Sequence, residues 1–290
     1  MSWIDTLSPE LPVLIAGATA SGKSAMALDI AERQGGVIVN ADALQVYDCW
    51  RVLSARPGTA DLARAPHRLY GHISFDIPYS VGGWLRDIAP LLNGPDRPIV
   101  VGGTGLYFSA LTEGLTEIPP VPTEIRAEGD RLRKTDVNSM IGELETRDPL
   151  TAAKTDLANP MRVQRAWEVL QSTGRGLHDW QQETPPPLVS LSQSQACVLE
   201  RPKEVLNQRI ESRFRDMIGA GALDEVRAMQ DSWEPSLPSS RAIGARELIA
   251  YLNDEVSLEQ AIEGAVIATR QFAKRQRTWF RNRMGHWARV

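Results

Sequence analysis

The run Gly17-Ala18-Thr19-Ala20-Ser21-Gly22-Lys23-Ser24 has two glycines, a lysine and a hydroxyl at the spacing GxxxxGK[ST]. A loop of this kind curls so that its backbone N–H groups converge on anionic oxygens. The helix that follows points its positive end at them, Lys23 adds a point charge and Ser24 reaches a metal ion. The chemistry predicted is the binding of a di- or triphosphate, which does not by itself predict phosphate transfer. Phosphotransferases of this class usually hold Mg²⁺ with an Asp at the end of a second apolar strand. Here the apolar run at 97–105 ends Gly102-Gly103-Thr104-Gly105, without an acid. The run at 36–42 closes on Asp42 instead, a carboxylate suited to organising a metal, to taking a proton from a substrate or to capping a helix. Spacing leaves the three open.

These groups need elements to hold them. Residues 11–17 form a short apolar run before the glycine loop, and the Ala/Met/Leu/Ile spacing after it predicts a helix closed by Gly35 and Gly36. With the runs at 36–42 and 97–105 and a returning strand near 195–202, strands alternate with helical segments. That order predicts an α/β protein, a parallel sheet flanked by helices with functional groups at the strand C-terminal ends. Prolines at 118–125 and at 184–188 bracket a polar stretch with little β signal. The expected organisation is therefore a first core segment at 1–118, a helical insertion at 119–190 and a core continuation at 191–290, helical to its end.

The chain has 290 residues, 42% of them hydrophobic and 23% charged, an ordinary globular composition. No segment has the length of apolar sequence that a membrane helix needs, and the first residues lack a secretory pattern, so a cytoplasmic protein with no membrane partner is expected. Cys49 and Cys197 stand far apart and are read as packing residues. The four histidines are scattered without metal-ligand spacing, and His67 is read as a hydrogen-bonded structural group.

Net charge is −4, yet from position 264 onward there are seven Arg or Lys and no Asp or Glu. Arg270, Lys274, Arg277 and Arg281 follow one another at helical steps of four, three and four, which lines four cations along one face. A polyanion is the partner such a face suits. Phe272, Trp279 and Phe280 interleave with the cations and are read as packed against the core rather than exposed to that partner.

The motifs GATASGKS, NADALQVY, PHRLYG, VVGGTGLYFSALTEGL, NPMRVQRAWEVLQSTGR, LPSSRAIGARELIAYL and ATRQFAKRQRTWFR follow one another from Gly17 to about Trp287. In this order the chain resembles the tRNA dimethylallyltransferases, which share the P-loop nucleoside-triphosphate hydrolase architecture. They transfer a dimethylallyl group from its diphosphate to N6 of the adenine 3′ of the anticodon. The resemblance implies that Gly17 to Ser24 and Arg213 hold the diphosphate, with Ser24 near Mg²⁺ as cofactor. It also implies that Asp42 and Thr104 stand at the reacting centre with Lys23 and Arg213. Contacts to tRNA are implied for Asp42, Ala43, Leu44 and Gln45, for Thr104 and Arg126, and for Met161, Arg162, Val163, Gln164 and Arg165. Arg241, Arg246, Lys274, Arg275, Gln276, Arg277, Thr278, Trp279, Phe280 and Arg281 complete that set. The insertion would clamp the anticodon stem, and the protein would act as a monomer. Ala43 departs from the serine common at this position. The other readings are a transferase acting on free adenylate, a small-molecule kinase, and an RNA-binding protein keeping a vestigial loop.

Overall fold

A computed structural model describes residues 3–290. Its first compact unit joins residues 3–112 to 188–290. There the chain runs β1 (Val13–Gly17), α1 (Lys23–Gln34), β2 (Val37–Asn40), α2 (Thr59–Arg64), β3 (His67–Arg68), α3 (Val81–Leu92), β4 (Pro98–Gly102) and α4 (Gly105–Glu113). The second unit, 113–187, contains five helices: α5 (Thr123–Thr135), α6 (Val137–Arg147), α7 (Pro149–Lys154), α8 (Pro160–Thr173) and α9 (Leu177–Gln181). The chain returns through β5 (Gln195–Leu199), α10 (Lys203–Gly219), α11 (Ala222–Met229), α12 (Ala245–Leu252), α13 (Leu258–Arg283) and β6 (Ala288–Arg289).

The six strands form one parallel sheet in the order β3-β2-β4-β1-β5-β6. Every residue of β1 is buried, and its side chains alternate between two cores. Val13 and Ile15 join Ile30 of α1, Ile38 and Ile99, while Leu14 and Ala16 join Trp84 and Ile88 of α3, Phe108 of α4 and Phe280 of α13. A strand has period two, so helices on both faces require apolar residues at successive positions, and VLIAG supplies them. A third cluster packs α10 to α13 around Leu206, Ile210, Phe214, Leu248 and Ala265.

Because all strands run one way, Gly17, Asp42 and Thr104 reach the same edge of the sheet, where open α/β sheets bind ligands. The end of β4 lies so close to the segment after β2 that a Cβ on Gly102 would fall 2.0 Å from the Ala41 carbonyl oxygen. This approach lets Thr104 N–H donate to Ala41 O at 3.2 Å and Ala43 N–H donate to Thr104 Oγ1 at 2.9 Å.

Two expectations about the elements change. The chain does not stay helical to its end, because β6 pairs with β5 at the sheet edge, and β3 forms the opposite edge. Each has two residues, too few to register as a period. The helical unit begins and ends earlier than 119–190: Val189 is buried in the core of the first unit, and its N–H donates to Leu111 O at 3.1 Å. Inside the second unit, Met140, Leu144, Val163, Trp167 and Leu170 form a separate core. Among the described residues no helix is long and apolar enough to cross a membrane. Both cysteines are free.

Candidate active site

The glycine loop leaves β1 and turns through left-handed backbone at Ala20 (φ 66°) and Gly22 (φ 98°) into α1. Gly22 caps that helix with no side-chain hydrogen bond, so the first-turn N–H groups retain their capacity for an anion. The expected cradle is narrower than its sequence. Thr19 N–H donates to Gln276 Oε1 at 2.8 Å and Ser21 N–H donates to Ala18 O at 3.1 Å. Ala18 and Ser21 are themselves buried, which takes their side chains out of reach of a ligand.

One cavity brings Thr19, Lys23, Ser24, Asp42 and Arg213 together. Lys23 is half-buried, and desolvation pulls its pKa down from 10.5 to about 8; the attraction of Asp42 opposes that fall and the repulsion of Arg213 adds to it. Burial likewise lowers the Arg213 pKa against the pull of Asp42. Two cations are thus held close with a single carboxylate between their influences. An entering polyanion relieves both, which is the electrostatic arrangement of an anion site. The same cavity is also lined by apolar side chains: Leu53, Ile210, Phe214, Met217, Ile243 and Phe272.

Asp42 is set by its own loop. Its N–H donates to Asn40 Oδ1 at 2.9 Å, and Asn40 Nδ2 donates to Asp42 O at 3.0 Å and to Leu69 O at 2.9 Å. Asn40 is completely buried. Asp42 Oδ1 accepts Leu44 N–H at 3.0 Å, a local turn bond, while Oδ2 accepts no hydrogen bond among the described residues. The carboxylate therefore combines a structural oxygen with an open one. Thr104 Oγ1 is used as an acceptor by Ala43 N–H, so its own proton points elsewhere. The methyl of Ala43 brings no hydroxyl, but its backbone ties the carboxylate loop to β4.

Sequence reasoning missed Asn40 and Arg209. Arg209 stands one helical turn before Arg213, with Nη1 3.5 Å from Ser21 O, and lines a second cleft beside the glycine loop with Lys23, Ser24 and Arg213. The i, i+4 spacing of the two arginines in RIESRF was the signal available.

The oxygen donors around the cavity suit Mg²⁺ only in part. Among the described residues no group of three or more His, Cys, Asp or Glu gathers to hold a metal. Ser24, Thr19 and Asp42 nevertheless present oxygens there, and Mg²⁺ is commonly held by one or two protein oxygens together with substrate phosphates and water. The donor set fits a metal carried in on a phosphate ligand.

The predicted cationic face forms. Arg270, Lys274, Arg277 and Arg281 line one groove together with Lys203 and Asn207 of α10, although Arg270 is paired to Glu211 at 2.8 Å. Arg275 lies over the Phe272 ring at 5.7 Å, and Thr278, Arg241 and Arg246 are exposed. In the helical unit Met161 and Arg162 are exposed, Arg162 lies 3.2 Å from Asp156, and Arg126 lies 3.4 Å from the buried Glu168. Arg165 is half-buried.

Four residues expected at the RNA surface are not at a surface. Val163 sits in the core of the helical unit, and Gln164 is buried there with Asp130 and Glu168 as hydrogen-bond partners. Phe280 is buried in the core cluster that also holds Val198, Met284 and Trp287. Gln276 is buried, with its amide turned toward the glycine loop. A helical stretch that meets RNA on one face must bury the residues of its other face. The expectation that the aromatics pack inward agrees with Phe280, while Trp279 and Phe272 are half-buried.

His67 is hydrogen-bonded through Nδ1 to Ala65 O at 2.8 Å, as read.

A parallel sheet with a phosphate loop, and a cavity in which two cations and a carboxylate gather beside apolar side chains, defines a protein of the P-loop class. A family model described as IPP transferase matches residues 45–283, and one described as isopentenyl transferase matches residues 12–72. The chain belongs to the IPP transferase family. It is 62% identical over 287 residues to the tRNA dimethylallyltransferase of Dinoroseobacter shibae, covering 99% of this chain and 97% of the relative. It is 58% identical to that of Ruegeria sp., covering 99% and 98%. Among solved structures, a eukaryotic dimethylallyltransferase acting on tRNA superposes with a TM-score of 0.78 at 27% identity, covering 93% of this chain and 69% of that one. The tRNA isopentenylpyrophosphate transferase of Bacillus halodurans gives 0.67 at 28% identity, covering 97% and 89%.

Proposed function

We propose that this chain is a tRNA dimethylallyltransferase that moves a dimethylallyl group from dimethylallyl diphosphate to N6 of the adenine 3′ of the anticodon. The observation that carries this reading is the cavity that Lys23, Ser24, Asp42 and Arg213 line together with apolar side chains, Ile210, Phe214 and Phe272 among them. The group esterified to the phosphates is a polar sugar and base in a nucleoside triphosphate, whereas in a prenyl diphosphate it is wholly apolar. Membership of the IPP transferase family supports the same substrate pair.

In this reading the first turn of α1, Lys23 and Arg213 receive the diphosphate. They stabilise the charge that gathers on the leaving group as the allylic C–O bond breaks, where fixed cations lower the barrier most. Ser24 is the protein ligand for Mg²⁺, which when bound supplies further positive charge at the diphosphate. Ile210, Phe214 and Phe272 receive the prenyl group and exclude water that would capture the carbon first. The open Oδ2 of Asp42 accepts a hydrogen bond from the adenine N6–H, orients the amine and takes its proton as the C–N bond forms. The Thr104 hydroxyl proton is available to the substrate at the same edge.

An adenine in an anticodon loop is stacked and must turn out to reach Asp42, which costs a few kcal/mol. Contacts to the RNA offset this. The candidates are Lys274, Arg275, Arg277 and Arg281 on α13, Arg241 and Arg246 before and within α12, and Arg126, Met161, Arg162 and Arg165 in the helical unit, which would clamp the anticodon stem. Ala43 to Gln45 would border the target base. Arg277→Ala is expected to raise the tRNA Kd several-fold and to flatten its dependence on salt by about one counterion, roughly 0.7–0.9 in the log–log slope. Binding of dimethylallyl diphosphate should not change. Titrations of both ligands across a salt series check this, and an unaltered tRNA slope counts against the assignment.

The function is tested by incubating the chain with labelled dimethylallyl diphosphate, Mg²⁺ and unmodified tRNA, then digesting to nucleosides. The expected product is N6-isopentenyladenosine. Label recovered on free AMP alone would mean an adenylate transferase, and phosphate transfer from ATP with no prenyl product would mean a kinase.

A further inference from the structure

We infer that Gln276 is a positioning residue for the transfer reaction, a single amide that fixes the phosphate loop to the end of β4. This rests on the function proposed above and assigns to Gln276 a role other than RNA contact. Its side chain is 5% exposed although it lies between the exposed Arg275 and Arg277 of α13. Oε1 accepts Thr19 N–H at 2.8 Å and the Thr19 hydroxyl at 3.2 Å, and Nε2 donates to Gly103 O at 2.8 Å.

The two ends of this bridge are the two halves of the reaction. Thr19 belongs to the loop that receives the diphosphate, and Gly103 precedes Thr104 at the strand end beside Asp42. Gly103 is a glycine because the bridge passes there: a Cβ would fall 2.3 Å from Gln276 Nε2 and 3.3 Å from Asp42 Oδ2. Without the bridge, the distance from the leaving group to the nucleophile's base rests on the pairing of β1 with β4 and of β4 with β2, and on the bonds of the Asp42 loop. Reaction rates fall steeply with small misplacements of the reacting atoms, about a hundredfold for 1 Å. A buried amide satisfied at both oxygen and nitrogen is also costly to replace by a group that satisfies only one of them.

The test compares wild type with Gln276→Met, which keeps length and loses both bonds, and Gln276→Glu, which keeps the acceptor for Thr19 and loses the donor to Gly103. Single-turnover prenyl transfer at saturating substrates is expected to fall about 10–100-fold in Gln276→Met and less in Gln276→Glu. The tRNA Kd should stay within about twofold of wild type, and its salt slope should not move, since no counterion is displaced by this residue. Amide exchange of the segment around Thr19 should be at least about tenfold faster in Gln276→Met, because the N–H loses its acceptor.

A changed salt slope with an unchanged single-turnover rate would make Gln276 an RNA contact and overturn the inference. An unchanged rate in a variant that only melts earlier would reduce it to packing and overturn it too. If Gln276→Met does not fold, Gln276→Glu gives the rate and salt-slope readings, and Gln276→Ala, which lacks the Thr19 acceptor, gives the exchange reading. Wild type transferring no prenyl group would fail the proposed function, while exchange at Thr19 would still decide whether the tether exists: faster exchange upholds it and unchanged exchange refutes it.

Discussion

Asp42→Asn is expected to lower the single-turnover rate of prenyl transfer by about 10²–10⁴-fold, the range over which a positioned general base acts. The substitution is chosen because the local fold survives it. The amide oxygen can still accept the Leu44 N–H that now binds Oδ1, and the backbone bonds to Asn40 do not involve the side chain of Asp42. What changes is the open position. An oxygen that accepts the amine proton becomes either a donor facing another donor or a neutral acceptor too weak to take the proton. The tRNA Kd should shift by only a few-fold, because one hydrogen bond among many phosphate contacts is lost. Rapid-quench measurement beside equilibrium tRNA binding checks both. A rate within threefold of wild type would place the departing proton on another group.

The substitution also has an electrostatic consequence. Asp42 holds the Lys23 pKa up against desolvation, so its neutralisation should let that pKa fall further.

The loop and strands that present these groups were legible because they are written locally. GATASGKS follows an apolar run and precedes a helical one, and Asp42 closes a run of buried β residues. The gathering of Lys23, Asp42 and Arg213 was legible only through resemblance, since Arg213 lies on α10 far along the chain and no local rule says which way it faces. Asn40 and Gln276 were missed or misplaced for a similar reason. Gln276 sits inside KRQRTWFR, and its neighbours' charges suggest a wet surface; only the rotation of α13 about its axis decides that this one side chain turns inward. The same rotation buries Phe280 and leaves Arg277 and Arg281 outside. Helical period predicts that some positions must be buried, but the phase of a face that mixes cations and aromatics is set by packing against β5 and α10. The edge strands β3 and β6 are invisible for want of length.

Lys23→Met should reduce kcat/KM for dimethylallyl diphosphate by about 10²–10³-fold, the usual cost of removing one preorganised charge from a developing anion. Methionine keeps much of the lysine stem and its packing, so the loss is one of charge. The wild-type enzyme predicts the pH signature that identifies this charge. In the free protein burial brings Lys23 to about 8, so it is protonated at neutral pH and neutral above. Only the protonated form offers a cation to the diphosphate. The wild-type kcat/KM for the prenyl substrate should therefore be level on the acid side of that value and fall by up to tenfold per pH unit beyond it. The fall ends at the higher pKa that the bound diphosphate imposes. In Lys23→Met this limb should vanish and leave a low, level profile, while in Asp42→Asn it should begin at lower pH.

Stability moves in the opposite sense. A lysine whose folded pKa lies below its unfolded one burdens the fold at neutral pH. That burden lessens as pH rises from about 8 toward 10.5, where the folded form has lost its proton and the unfolded one has not. Lys23→Met should accordingly melt no lower than wild type at pH 7 while binding its substrate far more weakly. A variant that instead melts well below wild type would mean that the loop needs the ammonium to hold its shape, and the loss of activity would then say nothing about the diphosphate.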